Sequence, residues 1–142
     1  MDFKLELVLI PVTDVDRAKE FYVEKMGFNL DVDHKAGEEF RVVQMTPPGS
    51  SCSITLGIGI TEAEPGSVRG THLCVTDIEA ARTELVGRGA EVGDVRHFNR
   101  EKREWEPGVD PDHGTYASFA DLADPDGNTW VLQEVNYAKA DA

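Results

Sequence analysis

The sequence predicts an α+β fold built from two copies of a βαβββ module, and three observations carry that expectation. Val12-Thr13-Asp14-Val15-Asp16 reappears as Val75-Thr76-Asp77-Ile78-Glu79, with the two capping aspartates 63 positions apart. Each copy stands between a short apolar run and an amphipathic stretch that ends at glycine. The second copy closes on Asp124-Pro125-Asp126-Gly127-Asn128, dense turn chemistry that feeds the β-forming run Thr129-Trp130-Val131-Leu132. A repeat of this length means two supersecondary units, each with an apolar face to cover.

The elements follow in order. Leu5 to Val12 is apolar and branched, and reads as a strand buried on both faces. Asp14 is placed to cap a helix whose stripe is Val15, Ala18, Phe21, Tyr22 and Met26, with Gly27 as terminator. Strands are expected at 28–33, 40–45 and 51–56, the last showing period-2 alternation. The loop 61–67, rich in Pro, Gly and acids, divides module 1 (4–60) from module 2 (68–136) within a single domain spanning 1–142. Module 2 then predicts a strand at 71–75, a cap at Asp77, a helix carrying Ile78, Ala81, Leu85 and Val86, and strands at 90–97 and 115–120 before the closing one. Between them, 98–114 reads as a long hydrophilic connector, and a long loop inside a compact domain usually carries function. Residues 137–142 read as a frayed tail.

Composition excludes several classes. With 27 acidic against 14 basic residues and a net charge of −13, a phosphate backbone is a poor partner, so nucleic-acid binding is not expected. The same field suits cationic or neutral ligands. No apolar run reaches membrane-spanning length, and the first residues lack a basic leader followed by an apolar core. Cys52 and Cys74 have no metal or redox spacing and read as buried thiols, which makes a reducing, cytoplasmic setting the expectation. No nucleophile motif, phosphate loop or paired-carboxylate arrangement is present.

The doubled βαβββ pattern, the stretch from Asp14 through Phe21-Tyr22 to Gly27, and the stretch Asp124 to Glu134 together resemble the vicinal oxygen chelate superfamily. That family includes glyoxalases, extradiol dioxygenases and bleomycin-resistance proteins, and the likeness covers nearly the whole chain. It implies that the two modules pair into a cup-shaped curved sheet enclosing a ligand or a metal, and that the protein forms a homodimer. The family's metal-ligand positions fall here on Leu7, Ser53, Gly70 and Val131, none of them a usual ligand of a divalent cation.

Carried through strand alternation, the resemblance places Leu7, Leu9, Ser53, Thr55, His72, Cys74, Val131 and Gln133 on the cup face. Trp105, His113 and Tyr116, with Phe119, are candidates for a wall or lid over it. His72 can be read as a polar group of the pocket, as a plain structural histidine or as a ligand of a shifted metal site. Glu134 and Trp130 fall on the helix side. The expected function is metal-free binding of a small apolar or amphiphilic molecule, with a cationic, drug-like ligand favoured by the acidic field. A divalent-metal-dependent lyase or dioxygenase with relocated ligands is the alternative, and a partner-binding module without chemistry is a third.

Overall fold

A computed structural model describes residues 1–136. They form two compact units: residues 1–69 with 124–128, and residues 70–123 with the strand that starts at Thr129.

The first unit is a four-stranded sheet of β1 (Leu7–Leu9), β2 (Asn29–Lys35), β3 (Arg41–Thr46) and β4 (Ser53–Ile58), ordered β1-β4-β3-β2. β1 runs parallel to β4, with Leu7 opposite Ser53 and Leu9 opposite Thr55. Asp14 caps α1 (Val15–Glu20) by accepting from the Arg17 amide, and the helix widens into a π-helical turn at Phe21–Lys25 before Gly27, whose φ of 73° only glycine adopts readily. Val15, Ala18, Phe21 and Tyr22 are buried on the helix side; Ile54, Leu56, Val43 and Met45 are the buried apolar side chains of the sheet. The strand expected over 5–12 is only three residues long and is not covered on both faces. Leu5, before the strand, and Leu9, at its end, are exposed, and β1 lies at the edge of the sheet with one hydrogen-bonded neighbour.

The turn Asp124–Asn128 belongs to this first unit rather than staying with the strand it feeds. Its core is a buried polar knot. Asp124 accepts from the Tyr22 hydroxyl (2.7 Å), the Asn128 side-chain amide (2.8 Å) and the backbone amides of Asp126 and Asn128 (both 2.9 Å). Asn128 in turn donates to Pro11 O and accepts from the Val68 amide. Every polar atom lost from water here has a partner, as burial requires.

The second unit repeats the plan and adds a strand. Asp77 caps α2 (Ile78–Gly87), and the sheet of β5 (Thr71–Val75), β6 (Arg96–Asn99), β7 (Glu104–Pro107), β8 (Ser118–Ala123) and β9 (Thr129–Glu134) is ordered β5-β9-β8-β6-β7. β5 and β9 are parallel, with His72 opposite Val131 and Cys74 opposite Gln133. Burial alternates along β9: Trp130, Leu132 and Glu134 are buried, and the residues between them are half-exposed. Glu134 Oε2 accepts from the Ile78 amide at the start of α2, which fixes its face as the helix side.

Two expectations are corrected. The strand expected at 90–97 begins only at Arg96, and the connector over 98–114 contains the β6–β7 hairpin. Cys74 is exposed and Cys52 half-exposed, so neither is a buried thiol. No helix among the described residues is long and apolar enough to cross a membrane.

Candidate functional site

In the first unit, Leu7, Leu9, Ser53 and Thr55 share one face of the β1–β4 pair, as parallel register demands. The face is polar along β4. Ser53 Oγ lies 2.7 Å from Thr46 Oγ1, and Thr46 Oγ1 donates to Asp31 on the neighbouring edge. Thr55 Oγ1 is buried with no hydrogen-bond partner. The strongest electrostatic contacts of this unit lie elsewhere: hydrogen bonds from Arg41 and then Lys19 hold the Asp33 carboxyl well below the usual carboxylate range, and Arg41 is correspondingly raised.

In the second unit, the structure brings His72, Cys74, Val131 and Gln133 to one sheet face and continues that face onto Phe119 and Trp105, and onto Arg96, Phe98 and Asp121, which sequence reasoning did not single out. Phe119 pairs with Gln133 and Asp121 with Val131; Arg96 pairs with Phe119 one strand further on, and Phe98 pairs with Trp105 at the edge. Together they make an aromatic platform around a cation. The Arg96 guanidinium lies 5.0 Å from the Trp105 ring centroid and 5.8 Å from that of Phe119, within cation–π range. Trp105 meets Phe98 edge-on at 5.4 Å and Phe119 at 5.6 Å. Asp121 bridges Arg96 at 2.8 and 3.3 Å and fixes its plane. Despite these contacts Trp105 is still 53% exposed. A large aromatic held by neighbours and left open to solvent is what a stacking surface requires.

Tyr116 sits beside this face: its carbonyl accepts from Gln133 Nε2, and its side chain is exposed at a φ of 64°. His113 is not part of the face. Its Nδ1 lies 3.0 Å from Glu134 Oε1, on the helix side of β9. Phe98 lies just past the strand expected to end at 97, and Asp121 just past the one expected to end at 120, so the face they share with Arg96 is not followed from the sequence. The signal is present as the alternations Arg96-x-Phe98 and Phe119-x-Asp121, which strands over 96–99 and 118–123 expose.

The residues at the family's metal positions do not fit a metal. Leu7 and Val131 offer hydrocarbon, Gly70 only backbone, and Ser53 a hydroxyl already engaged with Thr46. Among the described residues no group of three or more His, Cys, Asp or Glu could hold a metal ion.

Comparison with known proteins gives a consistent result. The model of the Glyoxalase/Bleomycin resistance protein/Dioxygenase superfamily matches residues 4–132. The crystal structure of TnmS3, an antibiotic binding protein from Streptomyces sp. CB03234, is 31% identical with a TM-score of 0.72, over 95% of this chain and 98% of that one. A glyoxalase/bleomycin resistance protein from the same Streptomyces is 32% identical with a TM-score of 0.67, over 92% and 99%. An uncharacterized protein of Shewanella frigidimarina is 30% identical over 134 residues, 91% of each chain.

Proposed function

This chain belongs to the Glyoxalase/Bleomycin resistance protein/Dioxygenase superfamily, and we propose that it is a metal-free member that binds a small, flat, apolar or amphiphilic organic molecule on the open face of its second unit. The observation that carries this reading is Trp105, half-exposed yet held by Phe98, Phe119 and Arg96. A planar ligand would stack on that ring, and Gln133 and His72 would supply the few polar groups that set its orientation. The net charge of −13 favours a ligand whose polar end is cationic. The likeness to TnmS3 supports an antibiotic-type ligand, since that protein binds one.

The test is titration of the protein with a panel of planar aromatic antibiotics and aromatic amines, followed by calorimetry. Trp105→Ala should weaken binding about tenfold or more, the cost of losing an aromatic anchor, while the fold stays intact. Equal affinity in wild type and variant would remove Trp105 from the site. Metal analysis of protein purified without chelator is the second arm: one equivalent of zinc, iron, manganese or nickel would overturn the metal-free reading.

A further inference from the structure

Along β4 the open face of the first unit dips. Ser53, Thr55 and Gly57 share that face, and all three are short. Ser53 and Thr55 are buried, at 5% and 4% exposure. The side chains opposite them in register are longer and more open: Leu7 and Leu9 on β1 and Val42 and Gln44 on β3 are half-buried or exposed. With neighbouring strands about 4.8 Å apart, the backbones of the two rims stand about 10 Å from each other, and the floor between them carries two hydroxyls.

Hydrogen-bond direction separates those hydroxyls. Thr46 Oγ1 donates its single proton to Asp31, so the 2.7 Å contact between Thr46 and Ser53 is donated by Ser53. The proton of Ser53 is spent in that relay, and what Ser53 still offers is a lone pair. Thr55 Oγ1 is buried and has no hydrogen-bond partner among the described residues. A buried hydroxyl left unpaired destabilises the protein that carries it, and valine would fill nearly the same space without that cost. The threonine is accounted for when its partner comes from outside the chain.

The floor also sets the chemistry of that partner. Ser53 can only accept, Thr55 can accept, Gln44 brings an amide oxygen opposite Thr55, and the relay behind Ser53 ends on the carboxylate of Asp31. The complementary group is a donor with positive charge, which the net charge of −13 favours as well. Leu7 and Leu9 make one rim hydrocarbon. We propose that this groove is a binding site for a primary ammonium group on a slim apolar chain. Thr55 Oγ1 accepts from the ammonium, Ser53 is a further acceptor about 7 Å along the floor, and Leu7 and Leu9 pack on the chain. The site lies in the first unit and makes no use of Trp105, so it stands or falls independently of the stacking face.

The test has an arm without ligand and an arm with one. In urea unfolding of the free protein, Thr55→Val should raise the midpoint by removing the unpaired hydroxyl, and Thr55→Ser, which keeps the hydroxyl and loses a methyl group, should lower it. In amide NMR at fixed ionic strength, hexylammonium should give saturable shifts at residues 53–57. Wild type should bind it about fivefold more tightly than trimethylhexylammonium, which has the charge but no N–H to donate, a ratio that corresponds to one hydrogen bond. That preference should vanish in Thr55→Val and persist in Thr55→Ser. A lower midpoint for Thr55→Val would show that the hydroxyl is already satisfied in the free protein, and would overturn the proposal. So would the lack of saturable shifts at 53–57, or an ammonium preference that Thr55→Val leaves unchanged.

Discussion

Tyr22→Phe isolates the worth of the buried knot in the first unit. The substitution deletes one oxygen and keeps the ring, together with its edge contact to Phe21 at 5.1 Å and its stacking on Phe28 at 5.8 Å. What disappears is a 2.7 Å hydrogen bond to Asp124, a residue 5% exposed whose carboxylate keeps its three other donors. A hydrogen bond to a charged group contributes about 1.5–3 kcal/mol, and burial prevents water from replacing the lost donor, so the variant should be destabilised by that amount. For a chain of this size about 3–5 °C accompanies each kcal/mol, which gives a fall in Tm of about 5–15 °C. Urea unfolding should show a lower midpoint at unchanged slope. Thr13→Val is the control: Thr13 Oγ1 donates to Asp126 over the same 2.7 Å, but at an exposed site, and its loss should cost less than about 1 kcal/mol. If the two variants lose equal stability, burial is not what gives the knot its strength.

Two further outcomes follow from the structure. Gly66 has a φ of 80°, and a Cβ there would lie 2.3 Å from Asp126 O, so Gly66→Ala should cost about 2 kcal/mol or more; Gly70→Ala, at a φ of 72° with open space around it, should cost about 1 kcal/mol. Chemical denaturation of the two variants side by side checks this, and equal losses would show that the close approach to Asp126 relaxes freely. Asp33 concerns pH. Its folded-state carboxyl is depressed by Arg41 and Lys19, so its contribution is complete above the unfolded aspartate value of about 3.9 and fades as the pH falls below it. Asp33→Asn should therefore lose stability near neutral pH, by at most about 1 kcal/mol for a surface network, and approach wild type near pH 2. A gap that widens in acid would contradict the assignment.

The fold was largely legible in the sequence because its strongest signals are local. Asp14 and Asp77 cap the helices they were expected to cap, and the glycine at 27 ends the first helical segment. Strand alternation put Trp130 and Glu134 on the helix side and left Val131 and Gln133 on the other, where the structure has them. The failures have physical causes. The β6–β7 hairpin was hidden because its turn is charged throughout and its short outer strand, Glu104-Trp105-Glu106-Pro107, has a single apolar aromatic between two acids and ends at a proline, as an edge strand facing water tolerates. Cys74 looked buried because its strand is apolar; an edge strand with one open face leaves alternate residues exposed whatever their type.

The turn at Asp124–Asn128 carries a consequence for anyone who would dissect this protein. The chain leaves the second unit after Ala123, contributes five residues to the first, and returns as β9. No single cut separates the halves. A fragment ending near residue 69 would keep Tyr22, Pro11 and Val68 but lose Asp124 and Asn128, the groups that bond to their hydroxyl, carbonyl and amide. A fragment starting near residue 70 would carry those two side chains with nothing to receive them. The sequence is a tandem duplication, but the structure is stitched, and coexpressed halves should regain stability only when that five-residue stitch is supplied to the first.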